Sequence, residues 1–275
     1  METGLREKVI VVTGASGGIG SAIARMFAQE GALLVLHAHK NLAAAQRLAK
    51  ELGTERTLVA RADLTREQDV RRLFGQVGRR FGRVDTLVAN AGSWTSEEAL
   101  LPQMSLTRWR RIQDAVLTTA FLCLRAFLRC VQRQKQGNAV LIASTAAVFG
   151  EAGHADYAAA KAAMAYGLTR TLKNEIARIA PHTRTYCGGR VNCVCPGWTV
   201  VPRTAQQLQE RATVRRVTAT MALKQIARPE DIAAAVVFLS SDLLARHVTG
   251  QSLVVAGGME GRLLWPPHEI DPDIA

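Results

Sequence analysis

Short runs of consecutive apolar and β-branched residues alternate along this chain with longer stretches in which apolar positions recur every three or four residues. The first pattern suits a strand buried on both faces, the second an amphipathic helix. Strands are predicted at residues 8–12, 32–36, 57–61, 84–89, 139–143, 191–194 and 252–255. Helices are predicted at 18–29, 42–52, 66–81, 106–134, 156–179 and 229–239. Such regular alternation predicts an α/β protein, a doubly wound parallel sheet with helices on both faces. Leu33-Leu34-Val35-Leu36 shows no polar alternation, as a strand covered on both sides requires. No repeat, low-complexity tract or linker divides the 275 residues, so residues 1–275 are expected to form one domain. Two segments lack periodicity: a loop at 181–190, with Pro181, Gly188 and Gly189, and a tail at 261–275 carrying Pro266, Pro267 and Pro272.

Charge adds one question. The chain has 35 Lys+Arg against 23 Asp+Glu, a net charge of +12. The excess is mostly arginine, scattered in pairs such as Arg71-Arg72, Arg79-Arg80, Arg110-Arg111 and Arg215-Arg216. Such pairs read as solvated helix faces, and no finger or aromatic-basic RNA motif accompanies them, so nucleic acid is not an expected partner. The longest apolar runs, such as 233–239, are too short to span a bilayer. Glu2 and Glu7 interrupt the start, which lacks the order of a signal peptide; no membrane association and a cytoplasmic location are expected. The five cysteines, Cys123, Cys130, Cys187, Cys193 and Cys195, contain no C-x-x-C pair and the histidines are dispersed. Reduced thiols and no metal are expected.

Immediately after the first strand stands Thr13-Gly14-Ala15-Ser16-Gly17-Gly18-Ile19-Gly20, followed by a helix. Glycines there allow a tight turn and close approach of a pyrophosphate, and the helix N-terminus offers unpaired N–H groups. The end of the second strand bears on which dinucleotide binds, because a carboxylate suits free ribose hydroxyls and a cation suits a 2′-phosphate. Here Leu36-His37-Ala38-His39-Lys40-Asn41 carries no carboxylate. His39 and Lys40 favour NADP(H), with NAD(H) left open.

Tyr157 and Lys161 stand four apart at the start of a helical run, so they share a face. A phenol titrates too high to shuttle protons at neutral pH, and a nearby ammonium is expected to lower it. Ser144 follows the strand at 139–143, on the carboxyl edge where doubly wound sheets bind ligands. Its hydroxyl is placed to hold a carbonyl oxygen while Tyr157 protonates it, which is ketone reduction. With Asp63-Leu64, Asn90-Ala91-Gly92, Pro196-Gly197, Arg228-Pro229-Glu230-Asp231-Ile232-Ala233 and Gly257-Gly258, these motifs appear in an order that resembles the classical short-chain dehydrogenase/reductase family. The likeness covers residues 8–259 and extends to 3-oxoacyl-[acyl-carrier-protein] reductases. It implies a Rossmann-type sheet and NAD(P)-dependent exchange between a carbonyl and an alcohol. It also implies catalytic roles for Ser144, Tyr157 and Lys161. Cofactor contacts are implied for Gly14, Ser16, Gly18, Ile19 and Gly20 of the loop, and for His39 and Lys40. Asp63 and Leu64 are placed at the adenine, and Asn90, Ala91 and Gly92 at the adenosine ribose. Tyr157 and Lys161 are placed at the nicotinamide ribose, and Pro196, Gly197 and Thr199 at the nicotinamide.

Several positions depart from the family pattern. Val116 stands where an asparagine usually completes a catalytic tetrad, and Gly17 where many NADP-dependent members are basic. Val201 replaces a frequent threonine, and Ala256 the usual aspartate before Gly257-Gly258. Val116 leaves a second reading open, a cofactor-binding regulator or scaffold with weak catalysis. A substrate lid is expected at about 198–224, with Trp94, Ala146, His154 and Trp198 lining an apolar pocket. The substrate is a small carbonyl or alcohol, free or carrier-bound, with Arg125, Arg129, Arg133 and Lys135 available to an acidic carrier. The helices at 106–134 and 156–179 are the family's dimer surfaces, so a homo-oligomer, dimer or tetramer, is expected. Phe121, Cys123, Phe127, Ala162 and Ala163 are assigned to its apolar contact.

Overall fold

A computed structural model describes residues 2–265 and residue 269. Seven strands form one parallel sheet: β1 (Val9–Val12), β2 (Leu33–Ala38), β3 (Thr57–Arg61), β4 (Thr86–Ala89), β5 (Asn138–Ile142), β6 (Arg190–Pro196) and β7 (Ser252–Val255). Their order across the sheet is β3-β2-β1-β4-β5-β6-β7. The chain reverses direction of growth beside β1 and β4, which is where such sheets open a ligand crevice at their carboxyl ends. Helices fill the connections: α1 (Gly18–Gln29), α2 (Leu42–Leu52), α3 (Glu67–Phe81), α4 (Leu106–Gln113), α5 (Thr119–Gln134), α6 (Ala146–Phe149), α7 (Ala155–Ala162), α8 (Thr169–Ile179), α9 (Arg211–Thr218) and α10 (Pro229–Ser240).

The two faces of the sheet carry two cores, and the strand period of two assigns residues to each. Val9, Val11, Val35, Leu87, Ala89, Leu141 and Cys193 face the core under α3, α5, α7 and α8. Ile10, Val12, Leu34, Leu36, Val88, Val140 and Val194 face the core under α1 and α10. Each fully buried aliphatic contributes roughly 1.5–3 kcal/mol, which fixes register firmly because a one-residue slip would exchange the two sets. α3 shows how the helices attach. Val70, Leu73, Phe74 and Val77 are buried at i, i+3, i+4 and i+7, and Gly82 ends the helix in the left-handed conformation at φ 75°. The scattered arginine pairs Arg71-Arg72 and Arg215-Arg216 are exposed, as solvated faces require.

Beyond shifts of one or two residues at the ends of elements such as β1, β4, β5 and β6, the structure departs from the sequence expectations at β2, in two long helices, in the 198–224 segment and at the expected helix surface. β2 continues to Ala38, because His37 and Ala38 pair with Ala60 and Arg61 of β3. The helices expected at 106–134 and 156–179 are each interrupted by a π-helical stretch, Asp114–Thr118 and Ala163–Leu168. At each a threonine hydroxyl bonds the carbonyl five residues back, Thr119 to Asp114 O at 3.1 Å and Thr169 to Met164 O at 2.8 Å. The lid contains a helix, α9, for which the sequence offered only Val217 as a buried anchor. Finally, Cys123 and Phe127 do not lie on an outer surface; they are 1% and 0% exposed in the core, while Phe121 is 46% exposed. The irregular tail is seen at 261–265, and Pro266, Pro267 and Pro272 lie outside the described residues.

Candidate active site

The carboxyl ends of β1, β2, β4, β5 and β6 converge on one crevice. At its floor the Thr13 hydroxyl donates to Val88 O at 3.1 Å and accepts the Asn90 and Ala91 N–H groups, each at 2.9 Å. The Asn90 side chain returns the tie, donating to Thr13 O at 2.9 Å and Gly14 O at 3.3 Å. Asn90 thus braces the glycine loop with its side chain, which the sequence did not indicate. Gly14 turns at φ 67°, a conformation open to glycine. A Cβ on Gly20 would lie 2.3 Å from Gly14 O and 2.8 Å from Asn90 Nδ2, so that position admits only hydrogen. A Cβ on Gly18 would instead strike Val201 Cγ1 at 2.6 Å, so the segment after β6 sits directly on the loop there. Gly17 caps the N-terminus of α1 without a side-chain bond, and the helix has no acidic residue in its first turn. Its free N–H groups fit the phosphates of a dinucleotide.

Just after β3, Asp63 Oδ1 accepts from the Thr65 N–H at 3.0 Å and hydroxyl at 2.7 Å. The Thr65 hydroxyl is the main cause holding the Asp63 carboxyl below its ordinary value. His39 Nε2 lies 3.9 Å from Asp63 Oδ2, and both His39 and Lys40 are exposed. Leu64 is 4% exposed and packs into the core. His37 is buried at the end of β2. Its Nδ1 accepts the Gly14 N–H at 3.0 Å and its Nε2 donates to Ala62 O at 3.0 Å.

Ser144, Tyr157 and Lys161 meet at the end of β5. Tyr157 and Lys161 project from α7, with Lys161 Nζ 5.7 Å from the Tyr157 ring centre. Lys161 is 4% exposed and its ammonium donates to Ile142 O at 2.6 Å. Burial pushes the Tyr157 phenol up to about 12, opposite to the expected lowering, while its hydrogen bond with Ser144 pulls the other way. The same burial pushes Lys161 down to about 8. Tyr157 therefore holds its proton at neutral pH. Val116, in the π-helical stretch, is 0% exposed and faces Gly92: a Cβ on Gly92 would lie 3.8 Å from Val116 Cγ2 and 3.6 Å from Lys161 Nζ. An apolar wall stands where a side-chain amide was the family expectation.

Two groups missed in the sequence set the Tyr157 helix. Asp156 is 0% exposed; its Oδ1 accepts the Tyr157 N–H at 2.9 Å and its Oδ2 accepts from Arg108 Nε at 3.0 Å. Arg108 also donates to Gly153 O at 3.1 Å, tying α4 to the start of α7. Of the expected pocket, His154 stacks on Trp94 with ring centres 5.2 Å apart and donates to Thr95 O at 2.9 Å. His154 and Ala146 are 3% and 1% exposed and act as packing. Trp198 packs with Phe149 against Met221, Ala256 and Met259. Thr199 is 4% exposed beside Pro196 and Gly197, its hydroxyl donating to Gly197 O at 3.0 Å. An open cleft of about 580 Å³ runs along α7, lined among others by Phe149, Glu151, Ala155, Ala158, Arg262 and Leu264. Glu151 lies within electrostatic range of the Tyr157 phenol and raises it, while Arg203 and Arg262 lower it. Among the described residues no group of His, Cys, Asp or Glu is placed to hold a metal.

The chain is similar to known oxidoreductases along most of its length. A family profile described as Enoyl-(Acyl carrier protein) reductase matches residues 14–260. A 3-oxoacyl-[acyl-carrier-protein] reductase of Synechocystis sp. is 33% identical over 94% of this chain and 98% of its own. Cis-4-hydroxycyclohexanecarboxylate dehydrogenase of Sinomonas cyclohexanicum is 37% identical over 92% of this chain and 96% of its own. L-fucose dehydrogenase of Oryctolagus cuniculus is 35% identical, over 92% and 85%.

Proposed function

Because the chain belongs to the short-chain dehydrogenase/reductase family, we propose that it is an NADP-dependent enzyme reducing a ketone or 3-oxo group to an alcohol, or the reverse, with Tyr157 as proton donor. Membership makes it an NAD(P)-dependent oxidoreductase of the carbonyl–alcohol class. The finer reading is carried by one observation: Ser144, a protonated Tyr157 and the Lys161 ammonium come together at the carboxyl edge of β5.

In this reading the loop Gly14, Ser16, Gly18, Ile19 and Gly20 holds the phosphates. Asp63, Leu64, Asn90, Ala91 and Gly92 flank the adenosine, and Pro196, Gly197 and Thr199 the nicotinamide. The bound dinucleotide supplies the hydride. Ser144 donates a hydrogen bond to the substrate carbonyl, and Tyr157 passes its phenolic proton to the same oxygen as charge develops there. Lys161 stabilises the phenolate left behind. Lys40 and His39, exposed at the end of β2 with no acid on that turn, favour a 2′-phosphate. The substrate is a small carbonyl compound, free or carrier-bound, and the native protein is a homo-oligomer.

A fluorescence titration with NADPH and NADH tests the cofactor, with NADPH expected to bind more tightly. Lys40→Glu is expected to weaken NADPH by roughly tenfold and NADH by less; equal losses would remove Lys40 from the phosphate. Tyr157→Phe is expected to lower turnover by about 10²–10⁴-fold with dinucleotide binding intact. Val116 favours the second reading, a cofactor-binding scaffold with weak catalysis. Turnover of ketones or 3-oxoacyl thioesters that Tyr157→Phe abolishes decides against the scaffold.

A further inference from the structure

We propose that His37 is a positioning residue for the dinucleotide loop, and that the loop keeps its binding shape only while the His37 ring is uncharged. The inference rests on the reading of the Thr13–Gly20 segment as a dinucleotide site.

Geometry fixes the state of the ring. The Gly14 amide can only donate and the Ala62 carbonyl can only accept. His37 Nδ1, 3.0 Å from Gly14 N, must therefore carry a lone pair, and Nε2, 3.0 Å from Ala62 O, must carry the proton. Residue 37 holds the loop a second time through its backbone, whose carbonyl accepts the Ala15 N–H at 2.9 Å. The first glycine and the residue after it thus hang on one histidine of the neighbouring strand. Through Ala62 the same ring reaches the residue preceding Asp63. One imidazole ties the phosphate loop to the adenosine end of the crevice.

The ring is 2% exposed, so no solvent replaces a lost partner. Adding a proton would set an Nδ1–H against the Gly14 N–H, two donors 3.0 Å apart. Two ionisable groups face the ring: His39, which disfavours a second positive charge, and Asp63, which favours it. The Thr13–Gly20 loop contributes no ionisable side chain. Burial is the largest influence and holds His37 below its ordinary 6.5. The sign follows. Above that lowered value the bridge is intact; as pH falls through it, protonation competes with nucleotide binding, and affinity drops by up to about tenfold per pH unit.

The test has two arms. In the apo protein, ring-nitrogen NMR should show the Nε2–H tautomer at about pH 8 and a midpoint below 6.5. An Nδ1–H tautomer or an ordinary midpoint overturns the bridge, whatever the protein binds. In the second arm NAD+ affinity is measured by calorimetry from about pH 8 downward. NAD+ lacks the 2′-phosphate, whose own titration near pH ~6 would overlap. Affinity should stay flat while the ring is uncharged and fall as pH drops through the lowered midpoint read in the first arm. His37→Asn keeps an uncharged acceptor toward Gly14, and is expected to bind within about threefold of the native protein at high pH with no fall in acid. A purely structural role would weaken binding equally at every pH and leave the slope, which overturns the proposal. Flat native affinity overturns it as well. Absence of NAD+ and NADP+ binding at high pH instead removes the dinucleotide reading on which it rests, and is told apart by the intact tautomer in the first arm.

Discussion

At Lys161 two requirements compete. The proposed chemistry needs an ammonium beside the phenol, yet burial pushes this group down to about 8, within reach of ordinary buffers. Ketone reduction should therefore hold its rate through neutral pH and decline as pH rises through about 8, because the cation is lost there. Lys161→Arg keeps the charge at any pH and should remove that decline at the cost of lower absolute turnover. A kcat/KM profile with the same alkaline limb in both proteins would assign the limb to another group. Gly20 makes a sharper case. An added methyl would lie 2.3 Å from a backbone oxygen, which cannot swing aside. Gly20→Ala should thus lose dinucleotide binding and about 1–3 kcal/mol of stability, read by titration and denaturant melts. The meeting of Ser144, Tyr157 and Lys161 was legible in the sequence because a spacing of four puts the last two on one helix face and Ser144 stands just after β5. His37 and Asp156 were not, since their roles exist only through partners at Gly14 and Arg108, 23 and 48 residues away.

Between elements, the Tyr157 helix is held by α4. Arg108 and Asp156 form an ion pair that is 8% and 0% exposed, at 3.0 Å, and Gln113 adds a bond to Asp156 O at 2.8 Å. Removing one partner leaves the other charge buried, so Arg108→Ala should cost about 3–5 kcal/mol. It should also lower kcat, because the Tyr157 N–H shares the same carboxylate. Native stability in a urea melt would show that water replaces the guanidinium. Some elements set by hydrophobic period were legible to the residue, as 57–61, 42–52 and 252–255 show, while β4 and β6 differ by up to two residues at an end. The π-helical stretches were hidden because an inserted residue changes hydrogen bonding without breaking the apolar stripe, while α9 was hidden because only Val217 among its residues is buried. One of these insertions carries Val116, so the segment beside the reactive groups is the one the periodicity described least well.

Across the whole molecule the parallel sheet explains why residues from 13 to 199 gather at one edge: all seven strands point their carboxyl ends the same way. The outer surface raises a different question, which the arginine excess does not answer. α5 presents Phe121 at 46% exposure, with Arg125 stacked 5.1 Å over its ring and paired to Glu67 at 2.7 Å. Leu106, at the start of α4, is 60% exposed, and Ala162 and Ala163 of the neighbouring helix are half-buried. An aromatic held flat by a cation suits a two-fold contact in which each residue counts twice. With Cys123 and Phe127 committed to the core, Phe121 is the residue of the expected contact that α5 leaves exposed. Light scattering is expected to give a multiple of the 29.8 kDa chain mass. Phe121→Asp sets two carboxylates into the contact and should raise the dissociation constant by tenfold or more, as loss of an aromatic anchor worth about 2 kcal/mol requires. The variant should keep its dinucleotide affinity, because Phe121 touches no part of the crevice assigned to the cofactor. A native protein that runs as a monomer at micromolar concentration, or an oligomer indifferent to Phe121→Asp, would move the contact to another face.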